Sequence, residues 1–162
     1  MSSPTPAFRQ ARFGAPLLLL AAVATACGGA EANVASDPST ETYASSLGVM
    51  IANMTLLRTG LYTQDLIVGA GLEAISGRTL RVRYTGWLTT GQQFDSNQTT
   101  GLQFVLNRGS VIPGWDLGLV GIRPGGKRRL VIGSDLAYGS SGKDIIGPNQ
   151  TLVFDITCLT VV

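Results

Sequence analysis

The segment "LRVRYTGWL", Leu80–Leu88, decides how this chain folds. Leu80, Val82, Tyr84 and Gly86 fall on one side of an extended chain, and Arg81, Arg83, Thr85 and Trp87 on the other. A period of two with one apolar side is the pattern of a half-buried antiparallel strand. Upstream, "LYTQDLIVG" alternates as well and runs into the turn "GAG", and "EAISGRT" turns again at Ser76-Gly77. Downstream, "TTGQQ" turns the chain, Phe94-Asp95 resumes a strand, and "LQFVL" forms a further one. "KRRLVIG" and the long closing run "QTLVFDITCLTVV" complete the strands.

One stretch breaks the period. In "VIPGWDLGL", Val111–Leu119, a Pro-Gly turn opens a short helix predicted over 113–121. Trp115, Leu119 and Ile122 stand at i, i+4 and i+7, one stripe for a sheet to cover. Asp116 falls in the first turn, where the helix dipole favours a negative charge. The expected fold is α+β: a twisted antiparallel sheet of five to six strands with one short α-helix across its concave face.

The N-terminus reads as an address. Arg9 and Arg12 precede an apolar run from Ala15 to Ala26, too short to cross a bilayer and suited to a secretory signal. The run ends "VATAC", similar to a bacterial lipoprotein signal, which implies lipid on Cys27. Ala24-Thr25-Ala26 also suits ordinary signal cleavage. The organisation expected is a signal over 1–26, a flexible tether over 27–45 and a folded domain over 46–162. "LGVMIANM", Leu47–Met54, should pack along the domain edge. An exported location follows, in the cell envelope or periplasm, with a membrane contact through lipid.

Several function classes drop out. The chain has no histidine, which removes Ser-His-Asp and Cys-His centres and the usual zinc sets; no metal or cofactor is expected. Twelve basic and ten acidic residues nearly cancel, and removal of Arg9 and Arg12 with the signal leaves ten of each, so no field steers the chain to nucleic acid. "GIRPGGKR" (121–128) approximates a phosphate loop but has Arg128 where Ser or Thr is needed. Lys127-Arg128-Arg129 reads as a solvated strand edge. Cys158, in an apolar strand, reads as a core residue.

Five tags remain, in order: "RYTG" (83–86), "FDSN" (94–97), "VIPGW" (111–115), "AYG" (137–139) and "TLVFD" (151–155). This series resembles the FKBP-type peptidyl-prolyl cis-trans isomerases, from about Gly60 to Val162. The resemblance implies a pocket floored by Trp115 and walled by Tyr84, Phe94, Val111, Ile112, Tyr138 and Phe154. It places Asp95 at the polar edge, Leu102 among the substrate contacts, and Ile145 and Ile146 on a loop covering one side. The family's backbone donor to a bound carbonyl falls at Ile112. Leu102 departs from the family, many members of which have an aromatic residue there, and the loop from Gly139 to Pro148 is about one residue short.

The implied activity is rotation about Xaa-Pro bonds in folding secreted or envelope proteins. It needs no nucleophile, metal or proton store. Expected partners are proline-containing polypeptides and macrolide immunosuppressants, bound by a monomer. The alternative is a chaperone-like lipoprotein of the same fold with a weak or silent site.

Overall fold

The structure is a computed structural model, described here for residues 34–162. The signal over 1–26, the lipid on Cys27 and the first part of the tether lie outside the described residues. None of the described helices is long and apolar enough to cross a membrane.

The strand at Leu80–Leu88 forms as its alternation predicts. It is β3, Thr79–Leu88, in a sheet whose other strands are β1 (Thr55–Arg58), β2 (Leu61–Ile67), β4 (Gln93–Val105), β5 (Lys127–Ile132) and β6 (Leu152–Val161). The six strands lie in the order β1-β2-β5-β6-β3-β4, every neighbouring pair antiparallel. The register sets Val82 beside Cys158, Tyr84 beside Ile156 and Gly86 beside Phe154, so these side chains share a face. Helix α1, Pro113–Gly118, crosses that face. Trp115, Leu119 and Ile122 all turn inward onto it, as their spacing predicts, and are buried. Cys158 is buried too, and burial raises its thiol pKa to about 11.

The helix is shorter than the 113–121 expected. Its continuation is drawn away by the segment before β3: the Gly121 N–H donates to the Ala74 carbonyl at 2.8 Å, and the Ala74 N–H to the Ile122 carbonyl at 2.9 Å. Where two strands were expected over 94–106, β4 is one. Gly101, at φ +75°, absorbs a bulge, and the Asn97 side chain accepts its N–H at 3.0 Å. β1 carries no sequence signal of its own; among the described residues it pairs only with β2, at the edge.

The sheet's second face is also covered. The chain over 43–54 lies on it in two 3-10 turns, Ser45–Leu47 and Ile51–Asn53, with Leu47 packed on Val131 and Val153 and with Trp87 and Tyr62 alongside. The start of the domain therefore precedes residue 46. Ser36 and Ser134 trade hydrogen bonds, amide to hydroxyl, at 3.0 and 2.9 Å, and the Ala44 N–H donates to the Thr89 carbonyl at 2.8 Å. The small polar residues that read as a tether supply these bonds.

The basic run at the start of β5 is not an edge, because β5 lies between β2 and β6. Register places Asp65 beside Arg128 and Asp155 beside Arg129. Arg128 reaches Asp65 at 2.6 Å, Arg129 reaches Asp155 at 2.6 Å, and Lys127 reaches Asp155 at 3.1 Å. Burial alone would raise the Asp155 carboxyl; Arg129 and then Lys127 outweigh it and hold it below the usual value of 3.8. A depressed folded-state pKa contributes stability above the unfolded value and loses it as pH falls through the folded one. Thermal unfolding from pH 7 to pH 2 should therefore show a decline setting in below about pH 4. Asp155→Asn should melt lower at neutral pH, by about 3 kcal/mol for the stranded guanidinium, with a shallower acid slope.

Candidate functional site

Pro113 opens α1 with its φ pre-set, and Ile112, extended at φ −60° and ψ 146°, precedes it. The Ile112 carbonyl accepts the Trp115 N–H at 2.9 Å. The helix sits close on β5 because two of its residues lack a side chain: a Cβ on Gly114 would lie 2.5 Å from Ile132, and one on Gly118 2.8 Å from Leu130. This close seat lowers Trp115 into the sheet. Its indole is 3% exposed.

Above the indole lies a hollow of about 220 Å³. The structure brings Tyr84, Phe94, Asp95, Leu102, Val111, Ile112, Trp115, Tyr138 and Phe154 together around it. Ring edges meet ring faces: Tyr84 and Trp115 are 5.0 Å apart at 83°, Trp115 and Phe154 5.3 Å at 85°, and Phe94 and Phe154 5.4 Å at 89°. Gly86 makes this possible, since a Cβ there would stand 2.6 Å from the Phe94 ring and 2.8 Å from the Phe154 ring.

Ile145 and Ile146 do not line this hollow. They line an adjoining cavity of about 210 Å³ that shares Phe94, Asp95, Tyr138 and Lys143 with it. Ile146 is buried in the core and Ile145 is exposed, because consecutive residues of the loop point opposite ways. Three further residues stand near the indole. Ser110 and Lys143 line the hollow, the Lys143 Nζ standing 5.4 Å from the centre of the Tyr138 ring, and Phe104 packs 6.0 Å from the indole. Phe104 was legible only as a strand residue, and Lys143 as a lone loop cation.

Polar groups share the lining with the rings. The Tyr84 hydroxyl donates to Asp95 Oδ2 at 2.6 Å, and the Ser96 N–H to Asp95 Oδ1 at 2.7 Å. Burial, then the bond to Asp95, push the Tyr84 hydroxyl above its ordinary pKa, so it stays protonated. Among the described residues, neither the Tyr138 hydroxyl nor the Ile112 N–H has a partner. Asp116 does something other than face the helix dipole. Its buried carboxylate accepts the Asn107 N–H at 2.8 Å and the Gly109 N–H at 3.0 Å. It thereby pins the loop that carries Ser110, Val111 and Ile112. Chemically, the arrangement offers a ring-walled seat with the Tyr138 hydroxyl and the Ile112 N–H as free donors at its margin, the Lys143 ammonium beside them and the Trp115 indole N–H buried without a partner among the described residues.

A family model for FKBP-type peptidyl-prolyl cis-trans isomerases matches residues 71–159. An FK506-binding protein of Neisseria meningitidis serogroup B is 44% identical over 105 residues, which are 63% of this chain and 96% of that protein. FK506-binding protein 4 of Dictyostelium discoideum is 45% identical over 65% of this chain, and the match spans only 29% of that longer protein. A peptidyl-prolyl cis-trans isomerase from Pseudomonas syringae pv. tomato superposes with a TM-score of 0.61 at 37% identity, covering 67% of this chain and 80% of that one. FkpA from Escherichia coli superposes at 0.63 with 39% identity, covering 72% of this chain and 55% of that one.

Asp116→Ala leaves two loop N–H groups without an acceptor. It should cost about 2 kcal/mol in urea unfolding and speed amide exchange over residues 110–112. Gly86→Ala should cost about 1–3 kcal/mol by the same measure, because two rings must move.

Proposed function

This chain belongs to the family of FKBP-type peptidyl-prolyl cis-trans isomerases, and from that premise we propose that it accelerates rotation about Xaa-Pro bonds in secreted or envelope proteins, held near a membrane by lipid on Cys27. The observation that carries the catalytic reading is the ring-walled hollow with the Trp115 indole as its floor.

Rotation about the prolyl bond breaks no covalent bond. Its barrier, about 18–20 kcal/mol, is the amide resonance lost on twisting. The planar amide carries a charge-separated form that water stabilises, and the twisted amide carries less of it. A hollow that replaces water with ring carbons therefore raises the planar state more than the twisted one, which is differential binding of the transition state. The pyrrolidine ring rests on the indole. The carbonyl before proline, turned out of its ground-state plane, meets the Tyr138 hydroxyl and the Ile112 N–H. Tyr84 and Asp95 satisfy each other and hold the wall. FK506-type macrolides would occupy the same hollow and compete. Support for the lipid and the location is the "VATAC" run at 23–27, outside the described residues.

A protease-coupled proline assay tests the catalytic reading. Trp115→Ala should lose roughly a hundredfold in kcat/KM, about 2.7 kcal/mol of transition-state binding. Tyr138→Phe should lose less than about tenfold, the worth of one hydrogen bond. A near-total loss in Tyr138→Phe with the fold intact would overturn the primacy of the apolar surface. With no histidine in the chain and Tyr84 held protonated, wild-type turnover should be flat from about pH 6 to pH 9.

A further inference from the structure

A separate concavity, of about 460 Å³, lies beside the end of α1, against β1. Its walls are Leu57, Leu61, Leu117 and Val120. Three of them face solvent: Leu57 is 47% exposed, Leu117 39% and Val120 43%. The Thr63 hydroxyl on its floor is buried without a partner among the described residues. β1 is exposed along its whole length and is an edge strand. Two cations stand on the rim. Arg128 is neutralised by Asp65 and also holds the carbonyls of Gly118 and Val120. Arg58 pairs with no carboxylate among the described residues. Isolated exposed leucines are ordinary, but a grouped apolar wall rimmed by polar and charged residues marks an interaction surface.

We infer that this flank rests on a lipid surface bearing anionic headgroups. The inference rests on the lipid proposed for Cys27. Two observations select that partner. The first is where the chain before Val34 joins the fold. Ser36 is bound to Ser134, and the next-door Gly133 N–H donates to the Gly60 carbonyl at 2.7 Å. Gly60 lies in the turn between Arg58 and Leu61, at the end of the groove. Cys27 stands nine residues ahead of Ser36, and nine residues reach at most about 30 Å. A lipid there keeps Ser36 within that distance of a bilayer, with the β1–β2 turn beside it. The second is chemistry: apolar side chains with an unpaired arginine beside them match an acyl boundary under anionic headgroups. Each contact is weak alone, and the tether makes them count by raising the effective concentration of the surface. The groove and the aromatic hollow share no lining residue, so the hollow stays open to clients.

The test uses protein processed from the full chain, its mass reporting the lipid. Nitroxide is attached at Leu117→Cys, or at Thr99→Cys on β4, the sheet's opposite edge. Cys158 is buried and does not compete for label. In vesicles of phosphatidylethanolamine with phosphatidylglycerol, contact of position 117 with a water-soluble paramagnetic agent should fall roughly fivefold relative to position 99. Arg58→Gln and Leu57→Gln, both at exposed positions, should return most of that difference, and phosphatidylcholine vesicles should reduce it. Equal access at 117 and 99 in lipidated protein overturns the docking and leaves the anchor standing. If the mass shows no lipid, the anchor fails, and flotation with the anionic vesicles decides the docking. Co-flotation lost in the two variants sustains it; none in the parent overturns it.

Discussion

An indole packed against ring edges is fixed in its plane as well as its position, because each edge-to-face contact weakens when either ring tilts. Trp115 has two such neighbours, Tyr84 at 83° and Phe154 at 85°, and they come from β3 and β6. Perpendicular neighbours project past the indole as walls, whereas stacked ones would have covered it. The same contacts that bury the indole to 3% therefore leave space above it. The arrangement depends on glycines in two elements. Gly114 and Gly118 let the helix down onto β5, and Gly86 lets Phe94 and Phe154 close over β3. A methyl at any of these three positions would push apart the parts that frame the hollow.

Much of this framework is visible locally in the sequence. Strand β3 declares itself by alternation, and the helix stripe Trp115, Leu119, Ile122 by spacing, since both periods are properties of neighbours along the chain. What the sequence hides are pairings across it. Lys127, Arg128 and Arg129 read as solvent-facing until Asp65 and Asp155 arrive on adjacent strands. Residues 36–44 read as a tether because their serines and small residues have no period; their partners, Ser134 and Thr89, are far away in sequence. Asp116 reads as a dipole residue because its acceptor role needs the loop before the helix to fold back. The residues around the hollow were legible as a set only through the ordered series of tags. Taken singly, Phe154 and Val111 are indistinguishable from ordinary core.

The balance between polar and apolar lining bears on how such a hollow would work. An unpaired carboxylate at its margin would attract water and stabilise the dipole of a planar amide, working against rotation. Asp95 is not unpaired. One oxygen is taken by the Tyr84 hydroxyl and the other by the Ser96 amide. Both oxygens are thus held against the wall, and the donors proposed to meet the turned carbonyl are the Tyr138 hydroxyl and the Ile112 N–H. A millionfold acceleration requires about 8 kcal/mol. Two hydrogen bonds at about 1 kcal/mol each leave most of that to be supplied otherwise. In the proposed reaction the rings would provide the largest remaining surface, and their effect on the amide would come from what they exclude. The perpendicular packing around Trp115 would then matter more than any one polar atom: it would hold apolar carbon against the bond without filling the space in which the bond must turn.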